Sequence, residues 1–166
     1  MLAILGMGCN HPATIIDNKF LEELGIGSSG EWILEKIGIR ERRTVLPLEY
    51  IRSTHNVDTR KAFSLVSASP VQLAVSAAQA AIERAGISSS RIGLIVANCC
   101  TPTEAIPGIA QSIGKALDMD VSAYDLQTAC PAFALHLDHL SRYRESDLPE
   151  YVLCVSTATM TAKVNY

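Results

Sequence analysis

The chain lacks any uninterrupted run of the ~18 apolar residues that a bilayer-crossing helix needs. Its opening residues, Met1-Leu2-Ala3-Ile4-Leu5-Gly6, have no positive leading region and are too short an apolar stretch for a secretory signal. No membrane association and a cytoplasmic location are therefore expected. A large charge excess is also missing: the net charge of −3 excludes a general nucleic-acid binder. The basic residues that do gather (Lys36, Arg40, Arg42, Arg43, Arg52, Arg60 and Lys61) read as a solvated face, or as a patch for phosphates or an acidic partner. No Cys-x-x-Cys pair occurs, so no metal site is expected. The five cysteines are odd in number and fall mostly in apolar, strand-like runs, which predicts reduced, buried thiols rather than a disulfide framework. Gly6-Met7-Gly8 has no third glycine, which excludes a dinucleotide fingerprint. No repeat, low-complexity tract or linker is visible, so one domain is expected. What is present is an apolar-rich globular composition, 48% hydrophobic and 19% charged.

Strand and helix patterns alternate along the chain. Residues 2–7 read as a buried strand. Asp17-Asn18 opens a short helix with Phe20, Leu21 and Leu24 on one face. Ser28 or Ser29 caps a second helix over 31–37, which stops at Gly38. Residues 40–45 suit a strand, and 47–67 read as a polar loop or excursion. Ser69-Pro70 starts an alanine-rich helix that runs to Ala85 and stops at Gly86. Residues 92–97 form a strand covered on both faces, 107–117 a helix, 121–126 a strand, 131–143 a helix and 151–156 a final strand. This order predicts an α/β fold: βαβ units with a mixed, mostly parallel sheet between helical layers.

Cys130 sits at the junction of the 121–126 strand and the helix that follows it. A thiol there faces the unpaired amides and positive dipole end of the helix, which favour thiolate and hence nucleophilicity. The alternative is a small buried core cysteine.

The turn Asp125-Leu126-Gln127-Thr128-Ala129-Cys130-Pro131-Ala132-Phe133 resembles the active-site turn of the thiolase-like condensing enzymes, in particular ketoacyl-ACP synthase III. So do Ile4-Leu5-Gly6-Met7-Gly8 with His11-Pro12, the block Ser28-Ser29-Gly30-Glu31-Trp32-Ile33 with Gly38-Ile39-Arg40-Glu41-Arg42, Ala85-Gly86-Ile87, and Ile92-Gly93-Leu94-Ile95-Val96-Ala97. The resemblance implies a thiolase-like layered α/β/α fold, of which residues 1–166 are the N-terminal half, with the C-terminal half and its catalytic histidine and asparagine lying outside this chain.

It also implies a reaction: acyl-thioester capture on Cys130, then decarboxylative Claisen condensation with malonyl-ACP, in fatty acid or related secondary-metabolite biosynthesis. No cofactor is implied, acyl-CoA being a substrate. The implied partners are the C-terminal half, acyl carrier protein and a homodimer mate. Trp32 corresponds to a tryptophan that stacks on the coenzyme A adenine, an indole face being suited to a purine. Lys36 stands for an arginine near the same nucleotide, keeping charge but not the fork. Ser28 lies near it too, unless it is only a cap. Ile106 replaces an aromatic in a loop that reaches toward the dimer mate's acyl pocket. Pro131 and Ala132 replace a small residue and a glycine; the proline removes one amide donor and the alanine fills some of the room. A same-fold acyltransferase and a non-catalytic partner subunit remain alternatives.

His136 and His139 sit three apart on the Cys130 helix, where surface or hydrogen-bond-satisfied imidazoles are expected. His136 is about 9 Å along the axis from Cys130 and too distant for a direct pair. Cys99-Cys100 reads as two neighbouring buried thiols.

Overall fold

The computed structural model describes residues 2–166. The chain forms two compact units. One joins His11–Ser69 to Thr159–Tyr166; the other joins the N-terminal segment through Asn10 to Pro70–Ala158.

The smaller unit begins with β1 (Thr14–Asp17) and α1 (Asn18–Glu23). Asp17 serves both: it ends the strand and caps the helix, its carboxylate accepting the Phe20 N–H at 2.7 Å. In α2 (Gly30–Ile37) the cap is Ser29, whose Oγ accepts the Trp32 N–H at 3.1 Å, so Ser28 is not the capping residue. Gly38 ends α2 at φ 75°, a left-handed conformation that glycine adopts without a steric penalty. The chain then returns as β2 (Glu41–Thr44), antiparallel to β1 with Ile16 opposite Arg42. Ile16, Ile33, Val45, Leu46 and Ile51 form the unit's core.

Residues 47–67 were expected to be loop. They hold two helices instead, α3 (Leu48–Thr54) and α4 (Thr59–Ala62). The stop signal after α3 is hidden because His55 and Asn56, not glycine, take the left-handed turn at φ 51° and 53°. Asn56 is held there by tertiary bonds, its Nδ2 donating to Val164 O at 2.8 Å and Ala162 O at 3.2 Å.

The larger unit contains α5 (Pro70–Ala85), β3 (Ile92–Cys99), α6 (Ile109–Ala116), β4 (Ser122–Asp125), α7 (Ala132–Ser141) and β5 (Tyr151–Thr157). The strands make one parallel sheet in the order β4-β3-β5. The antiparallel part of the expected mixed topology is the separate β1–β2 ribbon. Central β3 alternates its side chains between two cores. Ile95, Ala97 and Cys99 pack with Ala74 and Ala78 of α5, with Ala110 and Ile113 of α6, and with Leu153 and Val155 of β5. Leu94 and Val96 pack with Leu140 of α7 on the opposite face. Each fully buried isoleucine or valine of β3 contributes roughly 1.5–3 kcal/mol of transfer free energy. The apolar 92–97 run is thus a strand covered on both faces, and the α/β/α layering that the resemblance implies is present.

Residues 2–7 are not a buried strand. Leu2, Ile4, Leu5 and Met7 are exposed, and the segment joins no ladder among the described residues. It runs instead along α5, so close that a Cβ on Gly6 would lie 2.3 Å from Ala81 O and one on Gly8 2.0 Å from Ala77 O. The Arg84 guanidinium donates to Met7 O at 2.7 Å. Among the described residues its apolar side chains have no strand beside them to bury against, and the segment meets the helix at Gly6, Met7 O and Gly8.

Candidate active site

The crossover β3–α6–β4 runs one way along the sheet and β4–α7–β5 runs back past β3. Crossovers of one hand, run in opposite directions, place their helices on opposite faces. The chain leaving β3 therefore turns to one face and the chain leaving β4 to the other. The carboxyl ends of these two neighbouring strands are therefore a topological switch point, the usual ligand position in open parallel sheets. Cys130 lies on the turn after β4, and its thiol is exposed.

The turn is pinned to the end of β3. Leu126 N–H continues the ladder, donating to Ala97 O at 2.8 Å. Beyond it, side chains take over. Asn98 is buried, and its Oδ1 accepts the Thr128 N–H at 2.8 Å. Gln127 reaches back, its Oε1 accepting the Cys99 N–H at 3.0 Å. Cys100 Sγ donates to Thr128 O at 3.7 Å, and Asn98 Nδ2 donates to Cys100 Sγ at 3.9 Å. After the thiol, Pro131 has no amide, and Ala132 N–H closes onto Ala129 O at 3.2 Å. The helix proper begins one residue later than expected, with Pro131 at its N-cap.

Asp125, the last residue of β4, fixes the other wall. Its two carboxylate oxygens accept the Ile109 and Ala110 N–H groups at 2.9 and 2.8 Å, capping α6. The loop between β3 and α6 is anchored at its far end in this way. Ile106, on that loop, is 87% exposed.

Trp32 is exposed on α2, Lys36 is exposed and pairs with Glu35 at 2.7 Å, and Ser28 is half-buried just before the cap. These three share the smaller unit; Cys130 and Ile106 belong to the larger one. Among the described residues no cluster of His, Cys, Asp and Glu could hold a metal ion.

Three expectations are corrected. The cysteines are not mostly buried: Cys9 in the N-terminal segment and Cys100 and Cys130 beyond the ends of β3 and β4 are exposed, and Cys154, on β5, is half-buried. Cys100 accordingly does not share the burial of Cys99, being the first residue past the end of β3. His136 is neither at the surface nor satisfied: it is fully buried and neither ring nitrogen makes a hydrogen bond. Burial pushes its pKa down, the Leu126 backbone opposes that, and His139 adds to the lowering. His139 is half-buried, with Nε2 3.0 Å from the Tyr124 hydroxyl. Burial also raises the Cys154 thiol to about 11, which keeps it protonated and unreactive.

The layered α/β/α sheet that carries the exposed Cys130 thiol is the fold of the thiolase-like condensing enzymes, which this chain shares. More particularly, the chain resembles β-ketoacyl-[acyl-carrier-protein] synthase III along nearly its whole length. It is 32% identical over 163 residues to that protein from Rubrobacter xylanophilus, covering 98% of this chain and 45% of the relative. The crystal structure of 3-oxoacyl-[acyl-carrier-protein] synthase III from Aquifex aeolicus VF5 matches with a TM-score of 0.78 at 25% identity, over 95% of this chain and 45% of that one. The priming β-ketosynthase of the R1128 polyketide biosynthetic pathway matches at 0.74 and 30% identity, over 95% and 42% of the two chains. No family model matches the chain. The chain spans under half the length of the curated relatives it matches, which fits its expected correspondence to an N-terminal half.

Proposed function

We propose that this chain supplies the nucleophile of a β-ketoacyl-ACP synthase III-type condensing enzyme. The observation that carries the reading is the exposed Cys130 thiol on the turn after β4, beside the end of β3, in a chain similar throughout to such enzymes. The Cys130 thiolate attacks the carbonyl carbon of an acyl thioester. A C–S bond forms, the tetrahedral oxyanion collapses, and coenzyme A leaves as a thiolate that takes up a proton. In the second half-reaction a malonyl-ACP loses CO2. The electron pair of the broken C–C bond becomes an enolate, which attacks the acyl group and expels Cys130 as thiolate.

Trp32 and Lys36 on α2, with Ser28 just before its cap, offer an exposed indole and a cation to the nucleotide of acyl-CoA. Ile106 shapes acyl-chain preference. The histidine and asparagine that assist decarboxylation come from a second half, and the active assembly is a cytoplasmic homodimer that meets acyl carrier protein and needs no cofactor. The products serve fatty acid or related secondary-metabolite biosynthesis.

The test is to incubate the purified protein with radiolabelled acyl-CoA and malonyl-ACP. Condensation releases one CO2 for each acyl group consumed. Acyl transfer to malonyl-ACP or another acceptor without CO2 release identifies a same-fold acyltransferase instead. No acyl uptake at all overturns the enzyme reading.

A further inference from the structure

We infer that Asn98, Cys100 and Gln127 are positioning residues for the Cys130 thiol, acting through a closed ring of hydrogen bonds around the Thr128 peptide groups. Asn98 Oδ1 accepts from Thr128 N–H, Thr128 O accepts from Cys100 Sγ–H, and Cys100 Sγ accepts from Asn98 Nδ2. Every member donates once to the next, so the ring has one sense. Both polar groups of Thr128, two residues before the thiol, are thereby tied to the end of β3. Gln127 adds a second tether in the opposite direction by accepting the Cys99 N–H at 3.0 Å.

The tethers matter because the ladder between the strands has ended. The last paired residues are Ala97 and Asp125, and the last backbone bond is Leu126 N–H to Ala97 O. From there to Pro131 the chain has neither strand nor helix to hold it, although a nucleophile needs fixed distance and angle to the carbonyl it attacks. Side chains continue the ladder in place of the backbone. Asn98 is 3% exposed, so its amide has no water to replace a lost partner. Cys100 is exposed and reachable, which gives the ring one member that a surface reagent can disconnect.

This inference rests on Cys130 being the acyl acceptor, and the experiment separates the two. Acylation of Cys130 by an acyl-CoA and alkylation by iodoacetamide are followed by mass spectrometry with peptide mapping. The proteins compared are the wild type, Cys100→Ala, Cys100→Ser, Gln127→Ala, Gln127→Glu and Asn98→Ala. Acylation requires the sulfur to be aligned with a bound carbonyl; alkylation by a small diffusing reagent does not. Cys100→Ala and Gln127→Ala are expected to slow acylation by roughly tenfold or more, with alkylation little changed. Cys100→Ser puts a donating and accepting hydroxyl in place of the thiol, Gln127→Glu keeps the accepting oxygen, and both recover most of the rate. Gln127 is exposed, so its variants stay informative if Asn98→Ala fails to fold. An unchanged ratio of acylation to alkylation in both alanine variants overturns the inference. A wild type that alkylates at Cys130 but takes no acyl group defeats the functional reading instead. The ring is then judged by hydrogen exchange at the Thr128 amide, which must quicken in Cys100→Ala relative to Cys100→Ser; equal exchange overturns it.

Discussion

Replacing His136 by leucine should stabilise the protein, and more so in acid. The imidazole is fully buried on α7 with a donor and an acceptor that meet no partner. Each unsatisfied buried group costs about 1–3 kcal/mol. Leucine removes both losses and fills a similar volume with hydrocarbon, at a repacking cost of up to about 1.5 kcal/mol. Two such losses less the repacking cost leave a net gain at neutral pH on the order of 0.5–6 kcal/mol. For a chain of this length a gain of 1 kcal/mol raises Tm by roughly 2–4 °C.

The pH dependence carries a separate signature. Burial lowers the folded-state pKa of His136 below its ordinary 6.5, so the unfolded chain binds the proton first as pH falls. The stability tied to the neutral ring is complete above the ordinary value and is lost as pH drops from there toward the depressed folded pKa. His136→Leu lacks that slope, so its advantage widens between about pH 8 and pH 5.5. Thermal unfolding of both proteins across that range is the assay. A variant less stable than wild type at both ends, or one whose advantage does not change with pH, refutes the reasoning.

Gly8→Ala places a Cβ 2.0 Å from Ala77 O and 2.6 Å from Ala81 N, both backbone atoms of α5. It should cost about 1–3 kcal/mol or detach the segment, read as a lower Tm or as faster hydrogen exchange across residues 2–8. Asp125→Ala removes both acceptors at the start of α6 and should cost about 0.5–2 kcal/mol, measured by denaturant midpoint. Asp125→Asn keeps one carbonyl oxygen and should fall between. Trp32→Ala should raise KM for acyl-CoA and leave kcat nearly unchanged, the pattern of lost ground-state binding; an unchanged KM removes Trp32 from the nucleotide site.

Where local chemistry was complete in the sequence, the fold was legible. Asp17, Ser29 with Gly38, and Pro70 with Gly86 mark helix ends by capping, by proline's fixed φ and by glycine's freedom, and the helices lie between them. The apolar 92–97 run could be covered on both faces only inside a layered sheet, and β3 is there. What stayed hidden depended on partners distant in the chain. α3 is closed by left-handed His55 and Asn56, and Asn56 is anchored to Ala162 and Val164, which no local window reveals. β1 is four residues long with polar ends, too brief for its alternation to stand out, and needs β2 as its template. Residues 2–7 have the apolar content of a core strand, but burial requires a neighbour and composition does not supply one. At the candidate site, the place of Cys130 between a strand and a helix was readable, and β4 and α7 flank it. The hydrogen bonds of Asn98, Cys100 and Gln127 to the turn were not, because they form only when the end of β3 meets a segment about thirty residues later.

Intact-mass spectrometry before and after exposure to acyl-CoA tests the central claim most directly. A gain equal to one acyl group, mapped to the peptide carrying Cys130 and absent from Cys130→Ala, is the result the account predicts. An acyl group carried by Cys9 or Cys100 instead, or wild-type protein of unchanged mass, would contradict it.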